Sequence, residues 1–178
     1  MSSQLASNGT IKVWDPLLRI LHWTLAGSIA VTFVTGDEAM TVHLWAGLAA
    51  LGVVVTRVAW GLVGPRHARF GDFVPTPGEA LRYLRQLLGG QAGHYEGHNP
   101  AAGAMVIALW LLVLAVVASG LATLGGSGGE LLEELHEALA WTLLGLIGLH
   151  IGGVVFSSLA EGQNLARAMI TGRKKSMT

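Results

Sequence analysis

Residues 136–158 read H-E-A-L-A-W-T-L-L-G-L-I-G-L-H-I-G-G-V-V-F-S-S, from His136 to Ser158. An apolar run of this length matches the roughly 20 residues that a helix needs to cross about 30 Å of hydrocarbon. Its two histidines, His136 and His150, stand two heptads apart, so they share a helical face about 21 Å apart along the axis. Three other stretches also qualify as spans, about 17–36, 42–63 and 101–124. The sequence therefore predicts an all-α, integral membrane four-helix bundle, with 1–178 as a single membrane domain. Composition agrees: 52% of the 178 residues are hydrophobic and only 12% charged, against about 25% charged in soluble domains. Cysteine is absent, which excludes disulfides, thiolate zinc, iron–sulfur clusters, a cysteine nucleophile and covalent c-type haem. The net charge of zero offers no basic surface for nucleic acid.

The one long connection, 64–100, contains G-P-R-H-A-R-F-G-D-F-V-P-T-P-G and is broken by prolines. Within it, residues 78–88 place leucines at helical spacing opposite Arg82 and Arg85, as in a short amphipathic helix on the membrane surface. Asp15 before Pro16 marks the start of the first helix and Thr41 the start of the second. Every basic residue falls on one side of this layout: Lys12, Arg19, Arg57, Arg66, Arg69, Arg82, Arg85, Arg167, Arg173, Lys174 and Lys175. The other connections hold Asp37, Glu38, Glu130, Glu133 and Glu134. The positive-inside rule then makes both termini and the 64–100 loop cytoplasmic, in a multi-pass membrane protein. The first apolar run ends without a small-residue cleavage motif, so it reads as a retained span. His67 and His94, in the loop, read as solvated or locally hydrogen-bonded.

A single histidine near a helix end is commonly just a polar residue at the interface. Four of them make a pattern. In this orientation His22 and His150 lie toward the inner face, and His43 and His136 toward the outer face. Two pairs of imidazoles opposed across a bundle core are what two stacked b haems require as axial ligands. Zinc would want about four ligands around one centre, which two remote pairs do not supply. Gly27, Gly47, Gly52, Gly145, Gly148 and Gly152 either clear space for flat macrocycles or serve helix packing.

The motifs W-D-P-L-L-R-I-L-H-W, H-x-W-x-G, R-V-A-W-G-L-V-G-P-R-H-A-R-F, G-H-N-P-A-A-G and L-H-E-x-L-A-W, with His150, resemble the bacterial cytochrome b561 family, which is related to the cytochrome b subunits of nickel–iron hydrogenases. The resemblance implies four membrane helices, two non-covalent b haems on His22, His43, His136 and His150, and electron exchange with quinone and a second redox partner. Arg19 and Arg57, at the inner ends of spans, either bind haem propionates or snorkel to lipid phosphate. His98 and Asn99 either contact the headgroup of a quinone, ubiquinone or menaquinone, or form the N-cap of the third span. No catalytic residue is assigned, and any enzymatic activity is quinone/quinol oxidoreduction. The leading reading is a lipid-embedded diheme cytochrome that passes electrons between the quinone pool and a periplasmic c-type cytochrome or dehydrogenase. The alternative is a haem-containing anchor subunit of a periplasmic dehydrogenase, hydrogenase or multihaem cytochrome complex.

Overall fold

The computed structural model describes residues 9–36, 38–91, 93, 95, 97–124 and 129–175. Asp37 and His94 lie outside the described residues. Strand β1 (Thr10–Lys12) leads into α1 (Pro16–Thr35) and α2 (Met40–Val63). A 3-10 turn (Arg66–Ala68), α3 (Phe70–Phe73) and α4 (Pro77–Leu88) follow, then α5 (Pro100–Leu124), α6 (Gly129–Glu161), α7 (Leu165–Thr171) and strand β2 (Arg173–Lys175). Helices α1, α2, α5 and α6 are long and apolar enough to cross a membrane, and the architecture is a membrane helical bundle.

Local chemistry sets most of the helix starts. The Leu18 backbone N–H donates to the Asp15 carboxylate at 3.0 Å, ahead of Pro16 in the first turn of α1. Thr76 and Glu79 form a reciprocal capping box at α4. The Ala102 N–H donates to the Asn99 side-chain oxygen at 2.8 Å, so Asn99 caps α5. Thr41 is not a cap: it lies inside α2, which follows Ala39 with no side-chain cap. Helix α6 begins at Gly129, so Glu130, Glu133 and Glu134 ride on its first turns and not in a connection. There the positive end of the helix dipole favours carboxylates. At 33 residues, α6 is about 50 Å long and exceeds the hydrocarbon thickness.

The bundle consists of two antiparallel hairpins, α1 against α2 and α5 against α6, joined through α2 and α5, with α4 lying on α5. Between the hairpins, Ala50, Val54, Phe73, Trp110, Val113 and Leu143 form the main core. Lipid is as apolar as these side chains, so close packing and polar satisfaction, more than hydrophobic transfer, hold such helices together. On α4, Ala80 and Tyr83 are buried while Leu81, Leu84 and Leu88 are exposed, leaving an apolar face for the membrane surface.

A second cluster, Val13, Trp14, Leu18, Ala68 and Ala168, closes the end where both terminal segments meet. There β1 pairs antiparallel with β2, Thr10 opposite Lys175 and Lys12 opposite Arg173. The Val13 and Trp14 N–H groups both donate to the Gly172 carbonyl. Gly172 takes the left-handed conformation (φ 79°) that ends α7, and a Cβ there would lie 2.7 Å from the Trp14 carbonyl oxygen.

Gly103 seats α5 against the α3–α4 connection, and a Cβ there would collide with the Phe73 carbonyl oxygen and lie 3.0 Å from Pro75 Cδ. Backbone cannot swing aside as a side chain can. Gly103→Ala is therefore expected to lower stability by about 1–3 kcal/mol, seen as a reduced melting temperature in detergent by circular dichroism.

Candidate functional site

His43, in the first turn of α2, and His136, in the second turn of α6, face each other with ring centres 6.1 Å apart and planes inclined by 71°. Each ring is anchored through Nδ1. His43 Nδ1 lies 3.0 Å from the Thr32 carbonyl on α1, and His136 Nδ1 lies 3.0 Å from the Val116 carbonyl on α5. A carbonyl oxygen can only accept, so these contacts place the proton on Nδ1 and leave Nε2 with a free lone pair, as metal-ligating imidazoles are commonly held. Ser119 Oγ, itself donating to Val116, lies 3.1 Å from His136 Nδ1. Two imidazoles held this way would each offer Nε2 to a metal ion.

Gly120 makes the His136 position possible. A Cβ there would meet the ring at 2.8 Å (Cε1) and 3.1 Å (Nδ1). This glycine was absent from the sequence-derived set. Within that set Gly47 lies on the histidine face of α2, together with Ala50, Val54 and Arg57, and a Cβ there meets nothing within 4 Å. At about 100° per residue, Gly52 falls opposite His43, Gly27 well round from His22, and Gly145, Gly148 and Gly152 on the far side of α6 from His150. All five are exposed, so they line no space between the histidines.

His22 on α1 and His150 on α6 are half-buried. His22 Nδ1 is buried without a hydrogen-bond partner, and its ring meets Trp23 edge-on at 5.1 Å. His98 joins them from the segment before α5. Its ring packs 4.6 Å from Trp14 and 5.2 Å from Phe73, with a buried, unpartnered Nδ1. Burial, then the charges of Arg57 and Lys174 and the nearby His150 and His22, push the His98 imidazole down to about 3. It is neutral at physiological pH.

Arg57 is buried at 6% exposure, over the rings of Phe73 (5.3 Å) and Trp110 (5.1 Å), with Nη1 unpartnered. A side chain so enclosed does not snorkel to lipid phosphate. Arg19 does something neither sequence alternative anticipated: its guanidinium donates to the Ile170 carbonyl of α7 and ties the C-terminal segment to α1. Its Nε is buried without a partner. The Asn99 side-chain oxygen is committed to the α5 cap. Sequence reasoning counted Lys174 only among the basic residues that set the orientation and did not foresee its burial. Its Nζ donates to the Tyr95 and Gly97 carbonyls, each at 3.2 Å. Among the described residues no group of three or more histidine, aspartate or glutamate side chains is placed to hold a metal ion.

The sequence model of a family described as prokaryotic cytochrome b561 matches residues 13–172. The chain belongs to that family. It is a multi-pass membrane protein of electron transport that carries haem b. Two curated relatives are both named "Probable Ni/Fe-hydrogenase B-type cytochrome subunit". The one from Bradyrhizobium diazoefficiens is 25% identical over 93% of this chain and 86% of its own length. The one from Rhodobacter capsulatus is 23% identical over 93% of this chain and 81% of its own. No solved structure matches the chain.

The residues present fit haem. A b haem asks for imidazole nitrogens with free lone pairs and for cations to meet its carboxylates. The anchored His43 and His136 rings supply the former, and the buried, unpartnered Arg57 Nη1 the latter. Gly120→Val should push the His136 ring off its Val116 anchor. The expected result is loss or a spectral shift of haem, read from reduced-minus-oxidised spectra of the purified protein.

Proposed function

We propose that this cytochrome binds two b haems per chain, one between His43 and His136 and one between His22 and His150, and moves electrons between the quinone pool and a periplasmic redox partner. The observation that carries this reading is the outer pair: two imidazoles on different helices, 6.1 Å apart, each with Nδ1 held by a backbone carbonyl. Held by these histidines, haem would supply a one-electron carrier.

The protein's own residues do the rest. Thr32 and Val116 orient the outer imidazoles, and Arg57 meets a propionate at the inner end. The distribution of basic residues places that end, with both termini and the 64–100 loop, in the cytoplasm. His98 stands beside the inner pair as a neutral imidazole with a free ring nitrogen, able to donate to or accept from a quinone oxygen. Asn99 serves it by holding the turn into α5. At the opposite end Glu38, Glu130, Glu133 and Glu134 are exposed and form an acidic docking face for a basic c-type cytochrome or a dehydrogenase. The names of the relatives favour a second reading, in which the partner is a hydrogenase-type dehydrogenase and the chain also anchors it to the membrane.

The pairing has a direct test in single substitutions. His43→Ala and His136→Ala should abolish the same haem, and His22→Ala and His150→Ala the other, with two haems per wild-type chain by pyridine haemochrome. Loss of different haems within a pair would reject the assignment. His98→Phe should retain both haem spectra and the packing on Trp14, yet slow quinone-linked turnover at least tenfold. Unchanged turnover would place the quinone elsewhere.

A further inference from the structure

Strand β2 alternates as strands do: Arg173 and Lys175 are exposed, while Lys174 between them is only 7% exposed. The Lys174 ammonium spends two of its three N–H groups on the Tyr95 and Gly97 carbonyls and lies 5.8 Å from the centre of the Trp14 ring. Trp14 packs on one side of His98 and Phe73 on another, and Arg57 lies over Phe73. Two buried cations, one from the C-terminal strand and one from α2, therefore flank a single buried imidazole at the inner end of the bundle.

Glu161, at the end of α6, acts on Lys174 electrostatically but forms no ion pair with it. Its Oε2 is buried without a partner. Arg57 likewise has an unpartnered Nη1. Desolvated cations in a low dielectric call for an anion with good hydrogen-bond geometry, and a b haem carries two carboxylates. Arg19, the cation that sequence position recommends, is engaged by Ile170.

We infer that β2 is part of the inner cofactor site: with Arg57, Lys174 supplies the positive charge that holds the carboxylates of the haem between His22 and His150. This rests on the inner pairing proposed above. The C-terminal strand then closes the cytoplasmic mouth of that site, fixed by its pairing with β1 and by the Arg19 tie to α7.

Ferric haem carries one more positive charge than ferrous haem, so a nearby cation favours the reduced form and raises the midpoint potential. The test is a redox titration of the intact holoprotein and two variants. Lys174→Gln keeps amide donors for the Tyr95 and Gly97 carbonyls without the charge, and Lys174→Arg keeps the charge. Lys174→Gln should lower the potential of one haem, the same haem that His22→Ala removes, or release that haem alone. Lys174→Arg should stay in the wild-type range. Unmoved potentials in Lys174→Gln with both haems bound would overturn the inference. So would an equal drop in both variants with faster hydrogen exchange at Gly97 and His98, which would leave Lys174 as a loop tie only. If His22→Ala and His150→Ala remove different haems, the underlying pairing fails, independently of the role of the strand.

Discussion

An imidazole or guanidinium inside a bilayer has no water to satisfy its polar atoms, and each unmet group costs several kcal/mol. The bundle is arranged around that constraint. For His43 and His136, the carbonyls of Thr32 and Val116 accept from Nδ1–H. Both carbonyls already belong to transmembrane helices, so α1 orients a ring on α2, and α5 orients a ring on α6. Each hairpin thus contributes one fixed imidazole, and the seam between hairpins is where the two meet. Gly120 removes the one side chain that would prevent it.

The inner end meets the same constraint with cations in addition to imidazoles. Arg57 and Lys174 are buried from opposite ends of the sequence, cushioned by the faces of Phe73, Trp110 and Trp14. Aromatic faces offset part of the desolvation of a cation without neutralising it, so the end remains positive and suits acidic groups. The terminal strands, the Gly172 turn and the Arg19 contact with Ile170 hold this end shut, although they lie far apart in sequence.

Much of this was legible beforehand. The spans follow from apolar length alone, and the caps at Asp15 and Asn99 follow from short-range hydrogen bonding that tertiary packing did not override. The capping pattern failed at Thr41, where α2 begins earlier, and it did not foresee α6 reaching back to Gly129. Glutamates at 130, 133 and 134 look like a polar connection, yet they are good helix formers and sit well at a helix N-terminus. For the six glycines the sequence left haem clearance and helix packing equally open, because counting glycines in a span says nothing about direction. A rotation of about 100° per residue turns Gly145, Gly148 and Gly152 away from His150.

By itself, the sequence determined that the chain lies in a membrane as four helices and where its basic residues fall along them, because those properties depend on hydrophobic length and linear position. Only the tertiary structure decided how each side chain is used. Arg19 became a tie to α7, Arg57 a buried cation, and Lys174 an interior residue. Each outcome depends on which groups come within about 3 Å across the bundle. That is fixed by helix rotation and by the pairing of residues more than 160 positions apart, neither of which leaves a local mark in the sequence.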